Sequence, residues 1–301
     1  MRSFGNVDPA SHSYCRVCDS GKVESSHTTK VYQTRGTTTE LTKYRSSFNR
    51  LWKVNDDLCG KAEQREQVQE LYTALALHPE RDFGWGKGRE NARSLGYRDQ
   101  WLDRLSDDVW ESAAAVGNPF SLGPIQWGET VLDLGCGAGA DVCVAAILVG
   151  EQGQVVGIDI TSAMVEKARA NVQKAGFTNV HIHQADISEI HLEDSSVDVV
   201  ISNGSLNLSS AKSCVLKEAF RALKPAGRLH IADMIRSGEN QSCDASTDDS
   251  WADCVAGTLT PERLVEMIKE AGFVNVRMVE TTKYRTSRCT VGALFYAEKP
   301  G

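Results

Sequence analysis

The stretch Thr130–Asp141, TVLDLGCGAGAD, constrains this chain more than any other. Val131, Leu132 and Leu134 favour a buried strand, and the chain then runs straight into Gly135, Gly137 and Gly139. An apolar segment, Val142 to Val149, follows at helix-like length. Strand, glycine turn and helix in that order make the layout of a nucleotide-cofactor site. Without Cβ atoms a ligand comes close to the backbone, and the helix start offers N–H groups with no intrahelical partner.

The same alternation continues downstream. The pattern predicts strands at Thr130–Leu134, Gln154–Asp159, Val180–Gln184, Val197–Ile201 and Arg228–Asp233. Helices are expected at Asp141–Gly150, at Ala163–Ala175 with Gly176 as C-cap, and at Ala211–Leu223. Repeated β-then-α units with apolar strands imply a parallel sheet covered on both faces. Thr260, Pro261 and Glu262 then read as the start of a helix running to Ala271 and stopped by Gly272. Val274–Glu280 and Thr290–Ala297 complete the sheet. Upstream, Lys61–Leu77 has helical apolar spacing and ends at Pro79, and Gln100–Val116 reads as a second helix. Between them DFGWGKG is a glycine-rich loop pinned by Trp85, or a lid over the ligand.

Three carboxylates bear on the choice of cofactor. Gly135-x-Gly137-x-x-Ala140 with Asp159 some 20 positions on fits a dinucleotide fingerprint, a weak signal by itself. Asp133 lies inside the first strand, where it can attract an ammonium group, and Asp186 follows the third strand, where it can accept from an adenine amino group. One acid for an amine, one for ribose and one for adenine suit S-adenosylmethionine, which has no phosphate to cradle. The bland alternative is that Asp133 and Asp186 cap a turn and a helix.

VLDLGCGAGAD, VVGIDIT, QADIS, VDVVISNGSLNL, VLKEAFRALKPAGRLHIADM and EAGF resemble a class I S-adenosylmethionine-dependent methyltransferase. Within that superfamily the chain is most similar to the arsenite methyltransferases, through GIDIT followed by Met164, ISN followed by LNL, and WADCVAGTLT at 251–260. The likeness spans roughly residues 65–282. It implies an α/β fold, a seven-stranded mostly parallel Rossmann-like sheet with helices on both faces, one antiparallel strand, and an N-terminal extension. It also implies that Asp133, Gly135, Gly137, Gly139, Asp159, Ile160, Asp186, Ile187 and Asn203 contact the cofactor. VQELYTAL at 68–75 resembles the family's helix before the cofactor domain, so Tyr72 is expected near the sulfonium, which a tyrosine face attracts.

The cysteines bear on the substrate. Trivalent arsenic is thiophilic, and two or three thiolates hold it with its lone pair exposed. The resemblance puts one such cysteine at Cys254. The chain departs from the family with Gly204 where a cysteine should follow ISN, and with DFGWG where an upstream cysteine should follow VQELY. Cys59, Cys15, Cys18 or Cys243 would then supply the second thiolate, and Cys254 and Cys59 are the catalytic candidates. Cys15-x-x-Cys18 is half of a zinc knuckle, a candidate metal site whose other readings are a redox pair or inert thiols. Cys136, Cys143 and Cys289 are expected to pack in the fold, and Cys214 falls on a predicted helix. His181, His183 and His230 are candidate general bases or structural histidines.

Nine cysteines in 301 residues make a disulfide framework an unfavoured expectation. Net charge of −7 argues against a nucleic-acid partner, and no apolar run reaches membrane length, so a cytoplasmic location is expected. The organisation reads as residues 1–60, an extension carrying Cys15 and Cys18; 61–240, the first helices and cofactor core; and 241–301, a substrate-side segment that completes the sheet. The partners implied are a small-molecule substrate and a thiol reductant, glutathione or thioredoxin. Rival readings are a methyltransferase for a small organic acceptor, a non-catalytic cofactor- or metal-binding protein, and a dehydrogenase.

Overall fold

Seven strands form one sheet in the order β3-β2-β1-β4-β5-β7-β6. They are β1 (Thr130–Leu134), β2 (Gln154–Asp159), β3 (Val180–Gln184), β4 (Val197–Asn203), β5 (Leu223–Arg236), β6 (Val274–Thr281) and β7 (Thr290–Glu298). The computed structural model describes residues 63–237 and 257–301. β7 runs antiparallel to both β5 and β6, and the other pairings are parallel.

Helices cover both faces, as the apolar strands require. On one face α5 (Ala140–Val149) and α6 (Ser162–Lys174) pack with β1 and β2 around Val131, Val144, Val155 and Ala168. On the other face α7 (Lys212–Ala222) and α8 (Pro261–Glu270) pack on Leu132, Val200, Leu229 and Phe295. α8 starts as its residues dictate: the Thr260 side chain accepts the Arg263 N–H at 3.3 Å, and Pro261 fills the first turn.

An outer layer precedes the sheet: α1 (63–77), α2 (Gly88–Ser94), α3 (Asp99–Arg104) and α4 (Asp107–Trp110). The single helix expected over Gln100–Val116 is two short ones followed by an extended segment. Leu105 and Ser106 adopt extended backbone, and the Arg89 guanidinium takes the Leu102 and Leu105 carbonyls that end α3. α5 is buried almost all round because Trp101, Leu102, Val109 and Trp110 of this layer join its core cluster. The glycine-rich loop is no lid over the ligand cavity. Trp85 packs with the cluster of Val116, Leu122, Met234 and Tyr284, and the Tyr284 hydroxyl donates to the Gly86 carbonyl at 3.3 Å.

The chain turns from β1 to β2 and β3 on one side, and to β4 and β5 on the other. That places a topological switch point at the carboxyl ends of β1 and β4, where ligands bind in open parallel sheets.

Candidate cofactor site

A cavity opens at this switch point. Its lining includes Tyr72, Asp133, Gly135, Gly137, Asp159, Ile160, Asp186, Ile187 and Asn203, residues separated in sequence by as much as 131 positions. Of the expected cofactor contacts only Gly139 is outside the lining, and it has another task. It has φ +87°, and a Cβ there would sit 3.2 Å from Ala168 Cβ, so it lets the turn settle against α6. Gly135 has φ +77°, and its missing Cβ leaves room for Ser205, whose hydroxyl donates to the Leu134 carbonyl at 2.5 Å. A Cβ on Gly137 would meet only open space.

Asp159 ties the second strand to this turn. Its Oδ2 accepts the Gly137 N–H at 2.9 Å and its Oδ1 accepts the Thr161 N–H at 2.8 Å. Asp133 is buried differently. It is 1% exposed, faces the cavity, and its Oδ2 has no hydrogen-bond partner among the described residues. Burial, then the charges of Asp141 and Asp159, push its carboxyl well above the usual carboxylate range. An orphaned carboxylate oxygen aimed into a cavity is completed by a cationic or N–H-bearing ligand.

Asp186 takes the Ser188 N–H and hydroxyl at 2.8 and 2.7 Å, and pairs with the Arg65 guanidinium from α1. It therefore closes a local turn while facing the cavity. Asn203 also lines the cavity, but its amide is committed to protein groups. Its oxygen accepts the Val116 N–H at 3.0 Å, and its nitrogen lies 2.9 Å from both the Gly117 carbonyl and Asp141 Oδ2.

α1 lies over the opening. The Gln64 and Gln69 side chains donate to the Leu208 and Ile160 carbonyls at 2.8 and 3.1 Å. Lys167 donates to the Ala76 carbonyl at 2.9 Å and to the Ser112 hydroxyl at 2.8 Å, and Leu75 and Ala76 pack on Ala138 and Met164. Tyr72 thereby comes to the cavity wall.

Sequence reasoning missed Asp141, Tyr97, Cys136, Arg65 and the wall Ser112–Ala115, all of which line the cavity. Asp141 had a readable signal, an acid in the first turn of the helix after a glycine loop. Cys136 comes with the glycine turn itself, between Gly135 and Gly137, and tertiary packing brings in Tyr97, Arg65 and Ser112–Ala115.

Cys136 and Cys143 are buried, and burial pushes the Cys143 thiol up to about 12. Neither is a ready thiolate at neutral pH. Cys289 corrects its expectation: it precedes β7 by one residue and is disulfide-bonded, where simple packing was anticipated. His230 is buried under Tyr296 and lies outside the cavity, and His181 and His183 are exposed on the edge strand β3. The proposed thiolates Cys254 and Cys59, and Cys15, Cys18 and Cys243, lie outside the described residues. Among the described residues no group of three His, Cys, Asp or Glu side chains could hold a metal ion.

A family model described as "Methyltransferase domain" matches residues 125–272. The arsenite methyltransferase of Halobacterium salinarum is 35% identical over 239 residues, covering 74% of this chain and 61% of that protein. The ubiquinone/menaquinone biosynthesis C-methyltransferase of Vibrio campbellii is 30% identical over 176 residues, covering 52% of this chain and 68% of that protein. The crystal structure of an arsenic(III) S-adenosylmethionine methyltransferase from Chlamydomonas reinhardtii superposes with a TM-score of 0.54 at 29% identity, covering 71% of this chain and 74% of that one. The chain spans 55 to 61% of the length of the first two arsenite methyltransferases it matches.

Proposed function

This chain belongs to the S-adenosylmethionine-dependent methyltransferases, and we propose that it transfers the cofactor's methyl group to trivalent arsenic held by cysteine thiolates. The observation that carries the cofactor reading is the unpartnered Asp133 Oδ2 at the end of a glycine-lined cavity. When bound, S-adenosylmethionine supplies an electrophilic methyl group on a sulfonium.

The residues present fit that group. Asp133 would receive its ammonium end. Asp159, which holds the Gly137 and Thr161 N–H groups at the cavity, would accept ribose hydroxyls. Asp186 would accept the adenine amino group, with Ile160 and Ile187 offering apolar surface. Tyr72 would turn its ring towards the cationic sulfur. Rate enhancement in such a site comes chiefly from holding nucleophile and methyl group at attack distance.

Likeness to the arsenite methyltransferases of Halobacterium salinarum and Chlamydomonas reinhardtii supports the arsenic substrate. In this reading Cys254 with Cys59, or another N-terminal cysteine, presents the arsenic, and its thiolates need a reducing compartment. The cytoplasm is the proposed location, glutathione or thioredoxin the proposed reductant, and arsenic detoxification the proposed role. Among the described residues no helix is long and apolar enough to cross a membrane.

Gly204 favours a second reading, methylation of a small organic acceptor. It lines the cavity with φ +72°, and a Cβ there would sit 3.3 Å from Val116 Cγ1 and 3.8 Å from the Ala114 carbonyl oxygen. Titration calorimetry of the full chain, with S-adenosylmethionine first and arsenite second, separates the two. Heat from both ligands supports the arsenic reading. Cofactor heat alone would transfer the case to the organic acceptor.

A further inference from the structure

We propose that Asp141 is a positioning residue of the cofactor site: held by Tyr97 and Asn203, its carboxylate fixes one wall of the cavity and electrostatically governs Asp133. This rests on the cofactor reading above and adds how the site controls its own charge.

Three buried carboxylates line the cavity, Asp133, Asp141 and Asp159, and they are not equivalent. Asp141 receives the Tyr97 hydroxyl at 2.6 Å and the Asn203 amide at 2.9 Å. It also sits in the first turn of α5, where the helix dipole favours an anion. Asp159 receives two backbone N–H groups. Asp133 Oδ2 receives none among the described residues. Burial raises all three carboxyls, but hydrogen bonds draw Asp141 and Asp159 back down, and Asp133 is the one held well above its usual range, keeping its proton until a cation arrives.

The supports of Asp141 reach the wall. Asn203 Nδ2 donates within reach of Asp141 Oδ2, the Gly117 carbonyl and the Tyr97 hydroxyl, at 2.9, 2.9 and 3.0 Å, while its oxygen holds the Val116 N–H. Tyr97 is fixed by edge-on contacts with Trp101, Trp110 and Phe120 at ring-centroid distances of 6.4, 5.8 and 6.1 Å. The segment carrying Ala113–Ala115 is thus fastened to the start of α5 through one carboxylate.

The groups around Asp133 come from each element packed there. Asp141 comes from α5 and Asp159 from β2, both raised by burial and both drawn back down by the hydrogen bonds they accept. Cys136 of the turn and Tyr97 of the outer layer are neutral, their protons held by burial and by these same acids. β4 contributes the neutral Asn203. Among the described residues the one basic group in the lining, Arg65, is paired with Asp186. Among the described residues none of these groups offsets the repulsion that ionising Asp133 beside Asp141 would bring, and a cationic ligand would.

Calorimetric titration of full-length protein with S-adenosylmethionine between pH 5 and 8.5 tests this in wild type, Asp141→Asn and Tyr97→Phe. Wild-type affinity is expected to rise with pH and then level off as Asp133 ionises. Asp141→Asn should lower the midpoint of that rise by about one pH unit while weakening plateau binding about tenfold. Tyr97→Phe should shift it in the same direction by less, and it carries the test if Asp141→Asn fails to fold by circular dichroism. A weaker plateau with an unmoved midpoint in the variants, or pH-independent wild-type binding, overturns the inference alone. Absence of wild-type binding at every pH overturns the cofactor reading with it.

Discussion

Asp159 Oδ2, at the end of β2, holds the Gly137 N–H of the glycine turn at 2.9 Å. The contact crosses from one strand end to the loop of its neighbour and shapes the cavity floor before any ligand enters. Asp159→Asn would replace one acceptor oxygen with a donor and leave a buried N–H unpaired, at a cost of about 1–3 kcal/mol. The expected result is a roughly ten- to hundredfold weaker S-adenosylmethionine Kd by calorimetry.

The glycines separate structural from ligand-facing roles. Gly135→Ala drives a Cβ to 2.3 Å from Ser205 Cβ, and should lower stability measurably in thermal unfolding. Gly137→Ala, at φ +50°, meets no neighbour and costs only the backbone strain of about 1–2 kcal/mol. Its cofactor affinity should nonetheless fall, because the new methyl group enters the space a ligand uses.

Much of this fold was legible because each strand of the core is apolar and each turn carries its glycine. The end of α6 at Gly176 and the start of α8 at Thr260 follow from those local signals, while the one antiparallel strand, β7, followed only from the family resemblance. What was not legible depends on partners distant in sequence. Arg89 taking the carbonyls of α3, and Tyr97 reaching Asp141 across 44 positions, leave no periodic trace. The same holds in the cavity. Asp133 was readable as an acid beside the turn, but its lack of a partner emerges only once Asp141 and Asn203 have found each other.

Lys167 fastens α1 over the cavity through the Ala76 carbonyl, the Ser112 hydroxyl and Glu111, at 2.9, 2.8 and 2.7 Å. Lys167→Met keeps the packing length and removes all three contacts. Faster amide exchange over residues 70–77 and a several-fold higher KM for S-adenosylmethionine are expected, with kcat less affected.

Two buried groups oppose one another in acid. Burial, then Arg228, lowers the His230 pKa from 6.5 to about 4, so the unfolded chain binds that proton first and stability falls as pH falls through this window. Burial raises the Asp233 pKa from 3.8 to about 6, so the folded chain binds its proton first and stability falls as pH rises through nearly the same window. Each contribution is about 3 kcal/mol, and in wild type they largely offset. Urea unfolding at pH 4.5 and 7 should show His230→Leu gaining stability in acid relative to wild type, and Asp233→Asn losing it.

The most direct measurement incubates full-length protein with S-adenosylmethionine, arsenite and a thiol reductant, and resolves arsenic species by chromatography with mass detection. Methylated arsenic formed in step with S-adenosylhomocysteine, and lost in Cys254→Ser, is the predicted result. Undiminished methylation in that variant would remove Cys254 from the substrate site. Wild-type protein that binds the cofactor yet yields no methylated arsenic would contradict the arsenic assignment itself.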